Sequence, residues 1–202
     1  LTDDNGNFTG FGDRLDYFDE LGYYNPYYLS EIQPSSSNMI RVNGNTFVNI
    51  NPIKGLNIRA AQAVEAFDYR SSGVALPTGP FEGAGTARES FQRYYSFTYT
   101  NTAEYKFDLN ALHNFTFLVG QESIITKNES FGVSVDGLTD ERLMLMSAAA
   151  SAKLPSHSKT ETVFNSYFGT FSYNFDEKYF FDASFRRDGS SLFGLNNQWG
   201  NF

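Results

Sequence analysis

A period of two runs through residues 91–107, and it is the feature that most limits what this chain can fold into. Successive side chains of a β-strand point to opposite faces, so alternate positions meet two different environments. One set is mostly aromatic: Phe91, Arg93, Tyr95, Phe97, Tyr99, Asn101, Ala103, Tyr105 and Phe107. The other is mostly polar: Gln92, Tyr94, Ser96, Thr98, Thr100, Thr102, Glu104 and Lys106. A membrane-crossing strand needs about 9–11 residues, so this segment predicts a strand that extends beyond a bilayer.

Five other segments alternate in the same way, though less sharply. The six predicted strands are residues 40–50, 56–69, 91–107, 112–125, 163–175 and 179–187. Short connections rich in turn residues (51–55, 108–111 and 176–178) alternate with long ones (70–90 and 127–160). Long loops are uncommon inside compact soluble domains, whereas outer-membrane barrels have short turns at one end and long loops at the other. The pattern predicts an all-β fold, an antiparallel transmembrane β-barrel segment of about six strands in three hairpins.

The segments around the strands complete the predicted organisation. Residues 1–39 are interpreted as an extracellular loop region with at most a short helix, 40–188 as the six strands, and 189–202 as the start of the next extracellular loop and strand. Within the second long loop, Thr139 is expected to cap a helix that runs to about Lys153. The chain starts at Leu1 without a signal-peptide pattern and ends directly after a strand-and-loop pattern, which favours an internal fragment.

Composition excludes several classes of protein. The 202 residues include no cysteine, carry a net charge of −8 and are 17% aromatic. A disulfide scaffold is therefore excluded, and the aromatic content argues against disorder. Lysine and arginine are scattered without a basic patch, so no nucleic-acid binding is expected. No apolar run approaches the roughly 20 residues of a membrane helix.

Residues that usually carry catalysis or bind metals are few. His113 and His157 are the only histidines, and neither has neighbours at metal-ligand spacing. The glycines of residues 83–85 lie in a long loop and are interpreted as a linker. The adjacent pair Asp140-Glu141 is interpreted as a helix cap and not as a catalytic carboxylate pair. The sequence predicts no catalytic residue, no metal site, no cofactor and no enzymatic activity.

Alternation alone leaves open which medium meets the apolar face. In a soluble sandwich that face packs into a shared core, so a soluble all-β carbohydrate-binding module is the alternative. Long strands, alternating loop lengths and rings at the strand ends near the short turns favour the membrane barrel. Those rings are Tyr105, Phe107, Tyr173, Phe175, Tyr179 and Phe180. In a barrel the polar face lines the passage, and the candidate lumen-facing residues are Ser96, Thr98, Thr100, Asn114, Thr116 and Ser172.

The last third of the chain carries the most specific motif. Residues 166–175 lead through 176–179 into Arg187-Asp188-Gly189-Ser190-Ser191 and then Phe193-Gly194. This series resembles the SusC/RagA family of TonB-dependent outer-membrane transporters, although members usually have arginine where this chain has Leu192. Residues 25–27, 101–105, His113 and 118–122 match the family more loosely. The signature residues are Arg186, Arg187, Asp188, Gly189, Ser190, Ser191, Phe193 and Gly194.

The resemblance implies a barrel of about 22 strands in the outer membrane of one of the Bacteroidetes, with a plug domain that this chain lacks. It implies TonB-driven import of oligosaccharides or peptides, a SusD-like surface lipoprotein as lid, and outer-membrane lipid around the wall. The long loops 70–90 and 127–160 would meet the lid or the substrate. Gly189 is expected to form a turn at the outer end of the last strand. Arginine pairing with Asp188 would order the loop, so a structural anchor is favoured over direct substrate contact.

Overall fold

The fold is one antiparallel β-sheet in a computed structural model that describes residues 26–77, 84–110, 112–152, 155–194 and 197–202. The elements are α1 (Pro26–Ile32), β1 (Ser35–Ile50), β2 (Leu56–Ala75), β3 (Gly85–Leu109), β4 (His113–Leu138), β5 (Ser151–Ala152), β6 (Ser156–Phe175), β7 (Tyr179–Ser190) and β8 (Trp199–Asn201). Their order in the sheet is β1-β2-β3-β4-β6-β7-β8, with β5 paired to β4. In these parts of the chain no helix has the length and apolar character needed to span a membrane.

Six long strands form most of the sheet, which confirms the all-β prediction, and the three short connections join β1 to β2, β3 to β4 and β6 to β7. The β6–β7 connection shows how a short turn is built. Asp176 and Glu177 have φ values of 50° and 53°, and the Lys178 N–H donates to the Phe175 carbonyl at 3.0 Å. Two successive residues with positive φ are typical of a type I′ turn, whose twist matches the flanking strands.

The strands are longer than predicted at the ends away from the short turns. β2 continues to Ala75 and β3 starts at Gly85, so most of the predicted loop 70–90 is strand. The predicted loop 127–160 is likewise shortened by β4, which reaches Leu138, and by β6, which starts at Ser156. Residues 35–39, predicted as loop, belong to β1, while residues 1–25 lie outside the described residues.

The predicted helix from Thr139 to about Lys153 is wrong. The structure has a short 3-10 helix at Met146–Ala148 and then β5, which pairs antiparallel with β4. Met144, Met146 and Ala149 pack against the buried cluster of Ala87, Val135 and Leu138. Met144 and Met146 are two residues apart, a spacing that does not place both on one side of an α-helix. Contacts with the sheet therefore determine the backbone conformation of this segment, and no α-helix forms in its described residues.

The chain divides into two compact units, and unit 1 comprises Leu1–Ile40, Asp68–Arg93 and Glu129–Ser158. All the buried hydrophobic side chains of the described residues belong to it: Ile32, Ala87, Val135 and Leu138. Between β4 and β5, Arg142 donates to the Asp140 carboxylate at 2.8 Å. This side-chain hydrogen bond and a second from the Arg142 N–H lower the pKa of Asp140. Unit 1 thus has a small core and a connection held by local contacts.

Unit 2 comprises Arg41–Phe67, Tyr94–Asn128 and Lys159–Phe202, and its packing is different. Among its described residues no hydrophobic side chain is buried, while Val119 is 61% exposed and Phe181 is 57% exposed. A soluble domain hides most of its large apolar side chains, and broad exposed apolar patches mark surfaces that meet another medium or partner. The sandwich core that the soluble alternative requires is not found in the described residues of unit 2.

Candidate functional site

The sheet of unit 2 has two chemically different faces, which follow directly from the alternation. We call the aromatic face the one that carries Tyr105, Phe107, Phe115, Phe117, Phe171 and Tyr173. We call the polar face the opposite one, which carries Glu65, Thr98, Thr100, Glu122, Ser166 and Arg186. Neighbouring residues on a strand alternate between these faces, so each strand of unit 2 contributes to both.

On the aromatic face, rings from neighbouring strands stack on one another. The ring centroids of Phe107 on β3 and Phe115 on β4 are 4.9 Å apart, and those of Phe115 and Tyr173 on β6 are also 4.9 Å apart. Beside this row, His113 Nδ1 and the Tyr173 hydroxyl are 2.7 Å apart. The row lies near the short turns, where aromatic residues were expected. Stacked rings with polar tips at one end of an apolar strand are typical of a membrane–water interface.

On the polar face, Ser96 and Thr98 line an open cleft of about 400 Å³ together with Asn43, Asn45 and Glu65. The Glu65 carboxylate accepts a hydrogen bond from Arg41, and both side chains remain partly exposed. Hydroxyls, amides and a paired carboxylate give the cleft a wettable wall that carries both signs of charge.

The remaining candidate lumen-facing residues also lie on the polar face. Thr100 Oγ1 donates to the Glu122 carboxylate at 3.4 Å. Asn114 and Thr116 occupy positions of β4 with the same alternation as Glu122, and Ser172 lies opposite Asp182 in the β6–β7 register. The structure therefore groups Ser96, Thr98 and Thr100 at clefts, and places Asn114, Thr116 and Ser172 toward the short turns.

The arginine that pairs in the predicted signature is Arg186, and its contacts define what we call the signature cluster. Arg186 Nε donates to Asp188 Oδ1 at 2.7 Å, and Arg186 Nη2 donates to Ser166 Oγ at 3.0 Å. Glu122 lies 3.6 Å from the same guanidinium, which also lies over the Phe168 ring at 5.8 Å. Ser166 is fully buried. One guanidinium thus links three neighbouring strands, β4, β6 and β7.

Gly189 is not the turn that the sequence predicted. It lies within β7, opposite Trp199 of β8. A Cβ at Gly189 would lie 2.8 Å from the Trp199 ring, so glycine here permits close packing of the indole on the backbone, as glycines inside strands often do. Arg187 lies over the same indole at 5.2 Å.

Beyond Gly189, Ser190 and Ser191 of the signature form hydrogen bonds with backbone groups. The Val163 N–H donates to Ser191 Oγ at 2.9 Å, and the Ser191 N–H donates to the Val163 carbonyl at 2.9 Å. Ser190 Oγ accepts from the Leu192 N–H at 3.3 Å. Phe193 is 61% exposed, and among the described residues nothing lies within 4 Å of a Cβ added at Gly194. Hydrogen bonding in this segment serves the backbone, which suits an anchor.

The histidines and carboxylates of the described residues do not gather into a metal site. Across those residues no group of three or more histidine, aspartate or glutamate side chains is placed to hold a metal ion. His157 Nε2 lies 3.1 Å from Glu129, and His113 is bound to Tyr173 as described above. Both histidines therefore make ordinary structural contacts.

We expect Asp188→Asn to destabilise the folded barrel by about 1 kcal/mol, because Arg186 loses a charge-assisted hydrogen bond in a partly exposed site. Asp182→Asn is the matched control, since Asp182 is a more exposed carboxylate at an alternate position of the same strand. Guanidinium unfolding of both variants in detergent measures the difference. Equal midpoints for the two variants would contradict an anchoring role for the cluster.

Glu122 and Ser166 are the residues of this site that the sequence did not single out. Their side chains join Arg186 only because the β4–β6–β7 register places them beside it. The alternation pattern assigns each to the polar face but does not identify partners on other strands, since register depends on the pairing of whole strands.

Comparison with known proteins adds sequence and fold relatives to this geometry. No family model matches the sequence. Two curated relatives, TonB-dependent receptors P3 and P39 of Formosa agariphila, are 28% and 24% identical, each over 88% of this chain and 18% of the relative. A solved structure described as the RagAB peptide transporter aligns with 98% of this chain at 33% identity and a TM-score of 0.85. A structure of the RagAB peptide importer in an open-open state aligns at 34% identity.

The chain spans about a fifth of the length of the relatives it matches, 18% of the receptors and 22% of the RagAB chain. The RagAB alignment includes both unit 1 and the two-faced sheet of unit 2, since almost the whole chain aligns. In sequence and in fold the chain is thus similar to a segment of the barrel wall of TonB-dependent outer-membrane receptors, with RagA-type barrels among its solved relatives.

Proposed function

We propose that this segment forms part of the wall of a transporter that imports peptides across the outer membrane. The observation that carries the proposal is the pairing of an uncovered aromatic face with a polar face that holds open clefts. In a barrel the first face meets lipid and the second meets a water-filled lumen. Ser96, Thr98 and Thr100 would then line the passage.

Peptides are the substrate class that we favour over oligosaccharides. The solved relatives at 33% and 34% identity are described as a peptide transporter and a peptide importer. Their description supports the choice only for the barrel as a whole, because specificity depends on parts outside this chain. Oligosaccharides are the competing class.

The proposal extends to partners, and the same relatives together with the family resemblance support it. We propose that a SusD-like surface lipoprotein covers the outer mouth of the barrel and meets the connections after β2 and β4. TonB would drive import through regions other than this segment, which include a plug domain. The aromatic face would meet outer-membrane lipid. The segment itself would have no catalytic role, no cofactor and no nucleic-acid partner.

Blocking the polar face should stop import. We expect Thr98→Cys, once modified with a bulky, lipid-permeable maleimide, to lose uptake of a fluorescent peptide. Tyr99→Cys is the control, because its side chain belongs to the opposite face and the segment has no cysteine of its own. Mass spectrometry checks that both thiols are fully modified before uptake is measured.

Equal inhibition at both positions would contradict the face assignment, and unimpaired uptake at Thr98 would contradict a role in the passage. Running the same unmodified strain with a fluorescent oligosaccharide decides the substrate class. Uptake of the oligosaccharide without uptake of the peptide would replace peptides by glycans in the proposal.

A further inference from the structure

The aromatic face of β4 and β6 carries an apolar stretch with a defined length. It covers residues 115–125 of β4 and 163–173 of β6, eleven residues on each strand. A β-strand needs about 9–11 residues to cross a bilayer at the usual tilt. The apolar residues of this stretch are Phe115, Phe117, Val119, Ile125, Val163, Tyr167, Phe171 and Tyr173.

At the end near the short turns, amphipathic rings close the stretch. The His113 imidazole is hydrogen-bonded to the Tyr173 hydroxyl at 2.7 Å, and its ring centre lies 4.8 Å from that of Phe175. Such rings place an apolar body toward hydrocarbon and a polar tip toward water, which is why they concentrate at membrane interfaces.

At the other end, an ion pair closes the stretch. Lys127 Nζ lies 3.1 Å from Glu161 Oε2, and the two side chains are 52% and 55% exposed. Lys127 and Glu161 each lie two residues beyond an apolar residue of the same face, Ile125 and Val163. A charged pair with that exposure is costly in hydrocarbon but is tolerated among headgroups.

On β2 and β3, the residues of the same face also change from apolar to charged along the strand. Along β2, Ala66 is followed at the next alternate position by Asp68, and along β3, Tyr95 is preceded by Arg93. Within unit 1, Arg93 and Asp68 are ion-paired at 2.7 Å. Each of the four strands therefore passes from apolar to charged residues on the face under consideration.

Polar residues inside the stretch are Gln121, Ser123 and Asn165. Gln121 Oε1 accepts a hydrogen bond from Asn101 Nδ2 of β3 at 3.1 Å. Mutual pairing reduces the cost of placing two amides against lipid, because an unsatisfied polar group in hydrocarbon is far more expensive. The paired Gln121 is therefore compatible with a stretch that meets hydrocarbon.

We infer that hydrocarbon covers residues 115–125 of β4 and 163–173 of β6, and that the Lys127–Glu161 ion pair lies in the outer headgroup layer. Short turns of such barrels face the periplasm, so His113 and the Tyr173 hydroxyl lie at the inner interface, where the hydrocarbon-covered stretch ends. The inference rests on the proposed function, which assigns lipid to the aromatic face but does not say where the lipid ends.

Cysteine accessibility in the intact outer membrane tests the boundary. Val119→Cys, Ile125→Cys, Val163→Cys, Lys127→Cys and Glu161→Cys are introduced one at a time into the full-length protein. A membrane-impermeant maleimide is then added to whole cells. We expect labelling at Lys127 and Glu161 and loss of labelling at the other three positions. Denaturation in SDS is the control, because every variant that reached the membrane must then label fully.

The possible failures are distinguishable. Labelling of Val119 and Ile125 as fast as Lys127 means that no lipid covers this face, which overturns the proposed function itself. Protection at Val119 with labelling at Ile125 and Val163 leaves the wall intact but places its boundary deeper. Protection at Lys127 and Glu161 places the boundary farther out. Either of the last two results overturns the inference alone.

Discussion

Val119→Arg is expected to destabilise the membrane-inserted barrel by about 2–4 kcal/mol, the usual cost of an arginine facing lipid near the bilayer midplane. Val119 is 61% exposed on the aromatic face and lies near the middle of the apolar stretch of β4. Its neighbour Leu118 is the matched control, because it is also a branched apolar residue but belongs to the polar face. Leu118→Arg places its charge toward water and should therefore cost less than Val119→Arg.

Unfolding of the full-length barrel from liposomes by guanidinium measures both variants, since the free energy falls linearly with denaturant. The comparison removes the loss of a branched side chain as an explanation, because both variants lose one. Equal destabilisation would mean that both faces meet the same medium. A larger cost at Leu118 would reverse the assignment of the faces and remove the wall from the proposed function.

The alternation identified the sheet and its faces because lipid and water impose opposite demands on neighbouring residues. It located the strand ends at the short turns well: Ile50, Leu56, Phe175 and Tyr179 are ends in both prediction and structure. At the opposite ends the predicted strands were too short, starting too late in β1, β3 and β6 and ending too soon in β2 and β4. Near the ends of β2 and β6, the alternate residues include Arg70, Lys159 and Glu161, so the contrast that reveals a strand is lost. Backbone pairing continues without it.

The segment after Leu138 shows a different limit. Its run of leucine, methionine and alanine has good helix propensity, but propensity is a weak prior that packing overrides. Met144 and Met146 pack against the small core of unit 1, and the Ala150 N–H donates to the Gly137 carbonyl at 3.1 Å. Neither contact can be anticipated without knowing that β4 provides the surface.

The sequence predicted which face each candidate site residue occupies, but not which side chains it contacts on other strands. Alternation along β3 alone assigned Thr98 and Thr100 to the polar face. The signature cluster depends instead on Ser166 and Glu122, which reach Arg186 from two other strands. A shift of one residue in either register would move those side chains to the opposite face, and a single sequence holds no direct record of that register.

The second prediction with a large expected effect concerns Gly55, in the turn between β1 and β2. Gly55 has a φ of 85°, and a Cβ there would lie 2.1 Å from the Lys106 carbonyl oxygen. The Gly55 carbonyl also accepts the Lys106 N–H at 2.8 Å, so relieving the clash breaks a backbone hydrogen bond. We expect Gly55→Ala to destabilise the barrel by about 2–3 kcal/mol, as the sum of left-handed strain and the lost bond.

Gly73→Ala is the control for this prediction, because Gly73 lies in β2 and no described atom beyond its two chain neighbours lies within 4 Å of an added Cβ. Its backbone conformation does not require glycine, and alanine removes conformational freedom from the unfolded chain, so we expect no loss or a gain of about 0.5–1 kcal/mol. Guanidinium unfolding of both variants gives the difference. If Gly55→Ala matched Gly73→Ala, the turn would be free to move away from β3. The close approach of the β1–β2 turn to Lys106 could not then be a requirement of the wall.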